Sequence, residues 1–347
     1  MKDDLILVTG GSGYLGSHTV ARLLSEGYRV RTTVRSPEKE TALNSMLAKA
    51  KVSGLDRLSF VHADLKSDSR WAEAVRGCRY VLHVASPFTL NFPKDENELI
   101  VPARDGTLRV LRAARDAGVE RVVLTSSFVA TAYGTAIPRG VSEVTYTEEN
   151  WTNPEGNINP YARSKTLAEL AAWDFIEREG HSLELSVINP AGIFGPILGH
   201  EVPPSVDIVV QMLRGGFPGL PRMAFAMVDV RDLVDLHLRA MLSPQAKGQR
   251  FMAASDETVG LSDIASLLRR GLGTQAARVP QRQIPNWVVR VGALLSPQMK
   301  ELSSELGVIR AASNRKARTL LGWTPRSIED TIMDTAKSIL AQGLAAV

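Results

Sequence analysis

The sequence predicts an α/β protein: a doubly wound parallel sheet followed by a smaller, mostly helical C-terminal part. Three observations carry this. A short apolar run at the N-terminus passes through a glycine-rich turn straight into a helical pattern. Further apolar runs at 29–34, 58–62, 79–84, 121–125 and 183–188 are separated by stretches with helical spacing. Strands alternating with helices build parallel sheets, because each crossover needs room for a helix. Finally, the chain has 347 residues, 44% hydrophobic and 22% charged, enough for one big domain or two smaller ones.

The first strand, residues 4–9, leads into Gly10-Gly11-Ser12-Gly13-Tyr14-Leu15-Gly16. Two templates fit at once, Gly11-x-Gly13-x-x-Gly16 and Gly10-x-x-Gly13-x-x-Gly16. In both, backbone N–H groups at a helix start can meet a pyrophosphate with no Cβ in the way. A glycine-rich turn alone is weak evidence. The strand before it and the helix after it, ending at Gly27, make it a dinucleotide fingerprint. The second strand ends at Arg35, where an NAD site would place Asp or Glu for the ribose 2′-hydroxyl. A guanidinium there suits a 2′-phosphate, which a carboxylate would repel. This predicts NADP(H) over NAD(H), with Lys39 a candidate second phosphate contact; the competing reading is a solvated arginine at a loop edge.

The third strand runs to Asp64, and the fourth to Ala85-Ser86-Pro87-Phe88. Asp64 stands at a strand's carboxyl end, where ligands gather in open sheets; it reads equally as a partner for an adenine amine or as a loop cap. A helix is expected at 96–117, kinked at Pro102. The fifth strand ends in Ser126-Ser127, and the connection 131–158 is long enough to be functional or mobile. Asn159-Pro160 then opens a helix, with Asn as N-cap and Pro at the first helical position, and Gly180 closes it. On that helix Tyr161 and Lys165 share a face. A tyrosine ordinarily titrates near ~10, and a neighbouring ammonium favours its phenolate, so such a pair can handle a proton at neutral pH. Chance neighbours on an amphipathic helix are the competing reading. Of the six tyrosines, only Tyr161 has a lysine four residues on. The sixth strand runs into Asn189-Pro190-Ala191-Gly192-Ile193-Phe194-Gly195-Pro196.

Composition excludes several classes. The net charge is +4 and the basic residues form no tract, so nucleic acid is not an expected partner. Cys78 stands alone, the six histidines lie far apart, and no metal site is expected. The apolar run Leu5 to Val8 is too short for a signal peptide core or a membrane span, so a cytoplasmic protein with no membrane partner is expected. The helix Trp287 to Leu295 is fairly apolar but also short.

With these pieces in order, the chain resembles the extended short-chain dehydrogenase/reductase family, in its dihydroflavonol reductase-like and aldehyde (carbonyl) reductase branch. The resemblance covers nearly the whole chain. It rests on Val-Thr-Gly-Gly-Ser-Gly-Tyr-Leu-Gly (8–16), Thr-Val-Arg-Ser (33–36), His-Val-Ala-Ser-Pro-Phe (83–88) and Glu-Leu-Ile-Val-Pro-Ala-Arg-Asp-Gly-Thr (98–107). Arg-Val-Val-Leu-Thr-Ser-Ser (121–127), the Tyr-x-x-x-Lys pair and the Asn189–Pro196 stretch complete it. The resemblance implies a Rossmann-type cofactor domain over 1–190 and a mainly substrate-binding domain over 191–347, some of whose segments return to the sheet. It implies catalytic Ser127, Tyr161 and Lys165, with Ser126 the alternative serine. Implied cofactor contacts are Gly10, Ser12, Gly13, Tyr14, Leu15, Arg35, Lys39, Asp64, Leu65, Ala85, Ser86, Tyr161, Lys165, Pro190, Ala191, Gly192 and Ile193. The implied reaction is reduction of a carbonyl by hydride from NADPH, with Ser127 and Tyr161 hydrogen-bonding the oxygen and Tyr161 delivering the proton. Lys165 is expected to lower the tyrosine pKa and to hold the nicotinamide ribose.

The substrate side is less defined. Residues 195–225 carry five glycines and five prolines among apolar residues, the composition of a mobile flap. Phe88, Phe92, Phe128, Phe194 and Met212 are candidate pocket walls, each equally readable as core. No Arg or Lys cluster there suits a nucleotide-sugar diphosphate, and an apolar or aromatic carbonyl compound is expected. An epimerase or dehydratase on the same fold would prefer retained NAD, which Arg35 argues against. A non-enzymatic NADP-sensing regulator would lack the intact Tyr/Lys pair. Homodimers are common in the family.

Overall fold

The computed structural model describes residues 3–87, 93–137, 140–292 and 306–345. The central sheet is made of β1 (Leu5–Thr9), β2 (Arg29–Val34), β3 (Leu58–His62), β4 (Tyr80–His83), β5 (Arg121–Thr125), β7 (Glu184–Pro190) and β10 (Gln249–Ala253). Its order is β10-β7-β5-β4-β1-β2-β3, and every pairing is parallel. Helices cover both faces, and the central strands β1, β4 and β5 accordingly read as near-continuous apolar runs. Side chains alternate across a strand. Ile6 and Val8 therefore join one core with α1 (Tyr14–Ser25), α2 (Pro37–Lys49) and α7 (Val230–Leu242). Leu7 joins the opposite core with α3 (Trp71–Val75), α4 (Asn97–Asp116) and α5 (Pro160–Glu179). Pro102 lies inside α4, which continues through it. The strand order reverses about β1, whose neighbours are β2 and β4. The carboxyl ends of β1, β4, β5 and β7 thus meet at a switch point, where such sheets bind ligands.

The C-terminal part contains more strand than its sequence suggested. β8 (Gly192–Phe194) pairs parallel to β9 (Ala224–Asp229), and β11 (Thr258–Gly260) pairs antiparallel to β9. β6 (Glu143–Tyr146), from the long connection before α5, pairs with β12 (Ile309–Ala312). These strands have three to six residues, too few for a clear period. A second core lies where α6 (Pro204–Arg214), α8 (Leu261–Leu272) and the C-terminal helix Ile328–Ala341 meet the small sheet. Residues Pro204–Arg214 of the expected flap form a helix, with Val206, Val209 and Leu213 in that core. The last strand of the large sheet, β10, comes from beyond residue 190.

Candidate active site and cofactor groove

The glycine turn after β1 is shaped by close backbone approach. Gly10 has φ +69°, and a Cβ there would lie 2.9 Å from the Ala85 Cβ. A Cβ on Gly16 would lie 2.2 Å from the Gly10 carbonyl oxygen. The turn is held by Gly13 N–H to Gly10 O (3.0 Å) and Gly10 N–H to Thr33 Oγ1 (3.0 Å). Thr9 Oγ1 accepts from Ala85 N–H (3.0 Å) and meets His83 Nδ1 at 2.8 Å, which ties the ends of β1 and β4 together. Gly13 is the N-cap of α1, and no side chain caps that end. An open helix N-terminus beside glycine backbone fits a pyrophosphate.

This turn floors a groove of about 690 Å³. The residues implied as cofactor contacts among the first ninety all line it: Gly10, Ser12, Gly13, Tyr14, Leu15, Arg35, Lys39, Asp64, Leu65, Ala85 and Ser86. Arg35 is exposed at the rim. Lys39 forms an ion pair with Glu201, also at this rim. Asp64 Oδ1 accepts from Lys66 N–H at 2.8 Å, so it caps its loop while facing the groove.

The groove is continuous with a candidate catalytic cavity, sharing Tyr14, Leu15, Val84, Ser86 and Pro87. The cavity, about 530 Å³, brings together Ser127, Tyr161 and Lys165 with Pro190, Ala191, Gly192 and Ile193. Phe128 and Phe194 line it as expected. Met212 does not: it is fully buried in the second core, one turn along α6 from the cavity-lining Ile208. Phe88 and Phe92 lie outside the described residues. Phe225 stacks on Phe194, with ring centroids 5.9 Å apart. Sequence reasoning did not single out Tyr133 or Arg310, which also line the cavity, with the guanidinium 4.6 Å from the Tyr133 ring centroid.

The helix carrying Tyr161 and Lys165 starts as its sequence predicts. Asn159 Oδ1 accepts from Ala162 N–H at 2.8 Å, and Pro160 occupies the first turn. Arg163 donates to Pro154 O (2.8 Å) and Gly156 O (3.0 Å), pinning the preceding connection to the helix. Ser126 and Ser127 separate cleanly. Ser127 is hydrogen-bonded to Tyr161, and its Oγ accepts from Val129 N–H at 3.3 Å. Ser126 Oγ instead donates to Glu169 Oε2 at 2.5 Å.

Withdrawal from solvent raises the Tyr161 pKa, and the Ser127 hydrogen bond acts in the other direction. This is opposite to the lowering expected from the Tyr/Lys spacing, because the loss of solvent outweighs the Ser127 hydrogen bond. Lys165 is lowered to about 8 by burial, with Glu169 opposing the shift. His83 is lowered to about 3 by burial and by Lys165, so it is neutral at physiological pH. Glu169, Asn189 and Arg250 surround the serine pair. Their one local signal was Glu169, four residues beyond Lys165 on the same helix face.

Among the described residues, no group of three or more His, Cys, Asp and Glu side chains could hold a metal. No helix among them is long and apolar enough to cross a membrane. Residues 6–254 match the NAD dependent epimerase/dehydratase family. Cinnamoyl-CoA reductase CAD2 of Medicago truncatula is 34% identical over 272 residues, 77% of this chain and 80% of that protein. Dihydroflavonol 4-reductase of Zea mays is 32% identical over 81% of this chain and 76% of its own length. In structure, the chain resembles yeast methylglyoxal/isovaleraldehyde reductase Gre2 in complex with NADPH. The TM-score is 0.79 and the identity 26%, covering 98% of this chain and 99% of that one. Glycine groove, paired Tyr161 and Lys165, and these relatives together place the chain in the NAD dependent epimerase/dehydratase family, the extended short-chain dehydrogenases/reductases, on its dihydroflavonol reductase-like side.

Proposed function

We propose that the protein is an NADPH-dependent reductase that converts a carbonyl to an alcohol, with Ser127, Tyr161 and Lys165 as its catalytic residues. The observation that carries this is the convergence of those three residues in a cavity continuous with the glycine groove. The residues present fit the cofactor. Glycine backbone and the α1 N-terminus would hold its pyrophosphate, Arg35 its 2′-phosphate, and Pro190 to Ile193 would flank the nicotinamide end. Bound there, NADPH supplies hydride to the carbonyl carbon. Relatives named as NADPH-dependent methylglyoxal reductase and ketoreductase support the class.

The side chains then have distinct work. Hydroxyl groups of Ser127 and Tyr161 donate to the substrate oxygen, where negative charge develops. A raised phenol pKa keeps Tyr161 protonated at neutral pH. That is the state a reduction needs, since an alkoxide is far more basic than a phenolate and takes the proton as it forms. Lys165, beside them, would donate N–H groups to the nicotinamide ribose of a bound cofactor and places positive charge near the developing anion. Apolar walls from Phe128, Ile193, Phe194, Ile208 and Phe225 favour an apolar or aromatic aldehyde, ketone or keto ester.

NADPH oxidation measured against a panel of aldehydes, ketones and keto esters, with NADH alongside, tests the proposal. Turnover with NADPH and much less with NADH is expected. Silence across the panel with NADPH still bound would count against it and favour an epimerase or dehydratase reaction.

A further inference from the structure

We infer that Glu169 is a positioning residue for the reduction proposed above, a buried carboxylate that holds the serine-bearing strand end, the catalytic helix and β10 to one geometry. The inference rests on that reading of Ser127, Tyr161 and Lys165.

Tyr161, Lys165 and Glu169 follow at four-residue intervals on α5 and share its face. Glu169 is 1% exposed and gathers four donors. Its Oε2 accepts from Ser126 Oγ (2.5 Å) and Asn189 Nδ2 (2.8 Å). Its Oε1 accepts from Arg250 Nε (2.6 Å) and Trp173 Nε1 (3.4 Å). The same Asn189 amide reaches the Ser127 carbonyl at 3.2 Å, so the carboxylate is one step from the residue whose hydroxyl meets Tyr161. Arg250, 7% exposed, is itself held by Glu148 O (2.7 Å) and Asn150 O (3.1 Å) and lies 3.6 Å from the Trp151 ring centroid. Four donors converging on one side chain require an acceptor-only group. A glutamine would turn an N–H₂ toward two of them.

The carboxylate also bears on the charge of Lys165. Facing Lys165 are Tyr161 and Glu169 from its own helix and neutral His83 from β4; Arg250 reaches this group through Glu169. Of these, Glu169 favours the ammonium. Fixing the serine and keeping the lysine charged are thus two effects of one side chain. A purely structural ion pair would produce only stability.

The test compares wild type with Glu169→Gln in two readouts. Turnover against pH, on a carbonyl that the wild type reduces, should show kcat lowered on the order of tenfold and an alkaline limb displaced to lower pH, while NADPH still binds. Independently of turnover, acetylation of Lys165 against pH, followed by mass spectrometry, should show its midpoint moving to lower pH. Because Glu169→Gln leaves Arg250 buried without its charge partner, Glu169→Gln/Arg250→Met is the second variant, expected to recover thermal stability and keep both displacements. Unmoved midpoints in the folded variants, with kcat falling only as the folded fraction falls, would overturn the inference. A wild type that reduces no carbonyl would refute the reductase reading, and the labelling midpoint would still decide whether Glu169 sets the lysine.

Discussion

Cofactor groove and substrate cavity share a wall, yet they are built by different means. The groove is floored by backbone: Gly10 at positive φ against Ala85, and Gly16 pressed against the Gly10 carbonyl. It comes from short segments that follow one another in the first half of the chain. The cavity is assembled from side chains on the ends of β5 and β7, on α5 and α6, on β9 and on β12. A site made by backbone geometry needs particular residue types at fixed spacing. A site made by side chains from distant segments only needs something apolar of about the right size in each. Variants should therefore separate the two regions: groove changes alter which cofactor binds, and cavity changes alter what happens to substrate.

Tyr161→Phe gives the largest expected effect and the sharpest separation. Removing the proposed proton donor should lower kcat by about 10³-fold, with NADPH affinity, read by fluorescence titration, nearly unchanged. A fully active Tyr161→Phe protein would break the catalytic assignment. Gly16→Ala comes next and acts from the other side. Its Cβ would meet a backbone carbonyl that no rotamer change can move, so cofactor binding should weaken on the order of tenfold or more, with a stability loss of about 1–3 kcal/mol. Thermal unfolding with and without NADPH reads both. A variant that binds NADPH like wild type would show that the turn has slack that its geometry does not suggest.

What was legible in the sequence follows the same division. The glycine turn, Arg35, and the Asn159-Pro160 entry to the Tyr/Lys helix are local patterns, and each lies where its spacing implied. The strand-helix alternation gave the sheet through β7. It did not identify β10, because the short apolar run Phe251–Ala253 carries no mark of which strand it joins. The resemblance favours Ser127 and keeps Ser126 as the alternative, but nothing local to the two residues shows how they differ. Their difference depends on Glu169, 43 residues away from Ser126, and on strand pairing that points alternate residues to opposite sides. Met212 was misplaced for a similar reason. It lies four residues beyond Ile208, and only the packing of α6 shows that one turn faces the cavity and the next the second core. The Tyr161 shift was missed because spacing reveals a nearby cation but not the loss of solvent.

Arg35→Asp addresses the groove alone. A guanidinium at the rim can pair with a 2′-phosphate, and an aspartate would repel it while accepting from a free 2′-hydroxyl. The ratio of kcat/KM for NADPH over NADH should fall by at least about tenfold, with kcat at saturating cofactor little altered. An unchanged ratio would leave Lys39, now paired with Glu201, as the group to test for the phosphate contact.

The smallest effect is expected at Phe225, on the cavity side. Its ring stacks on Phe194, and the two form part of the apolar wall of the cavity. Stacked aromatic pairs contribute about 0.5–1.5 kcal/mol beyond their area. Phe225→Ala should therefore raise KM for an aromatic aldehyde several-fold, with a smaller change for a short aliphatic one and none in NADPH affinity. Met212→Ala is the matched control. Its side chain is fully buried in the second core, so it should cost about 2–5 kcal/mol of stability and leave the aromatic-to-aliphatic KM ratio where it was. The ratio, rather than either KM, is the quantity to read, because an effect common to both substrates cancels from it. If Met212→Ala shifted the ratio as much as Phe225→Ala did, the cavity wall would have to extend one turn further along α6 than its present lining.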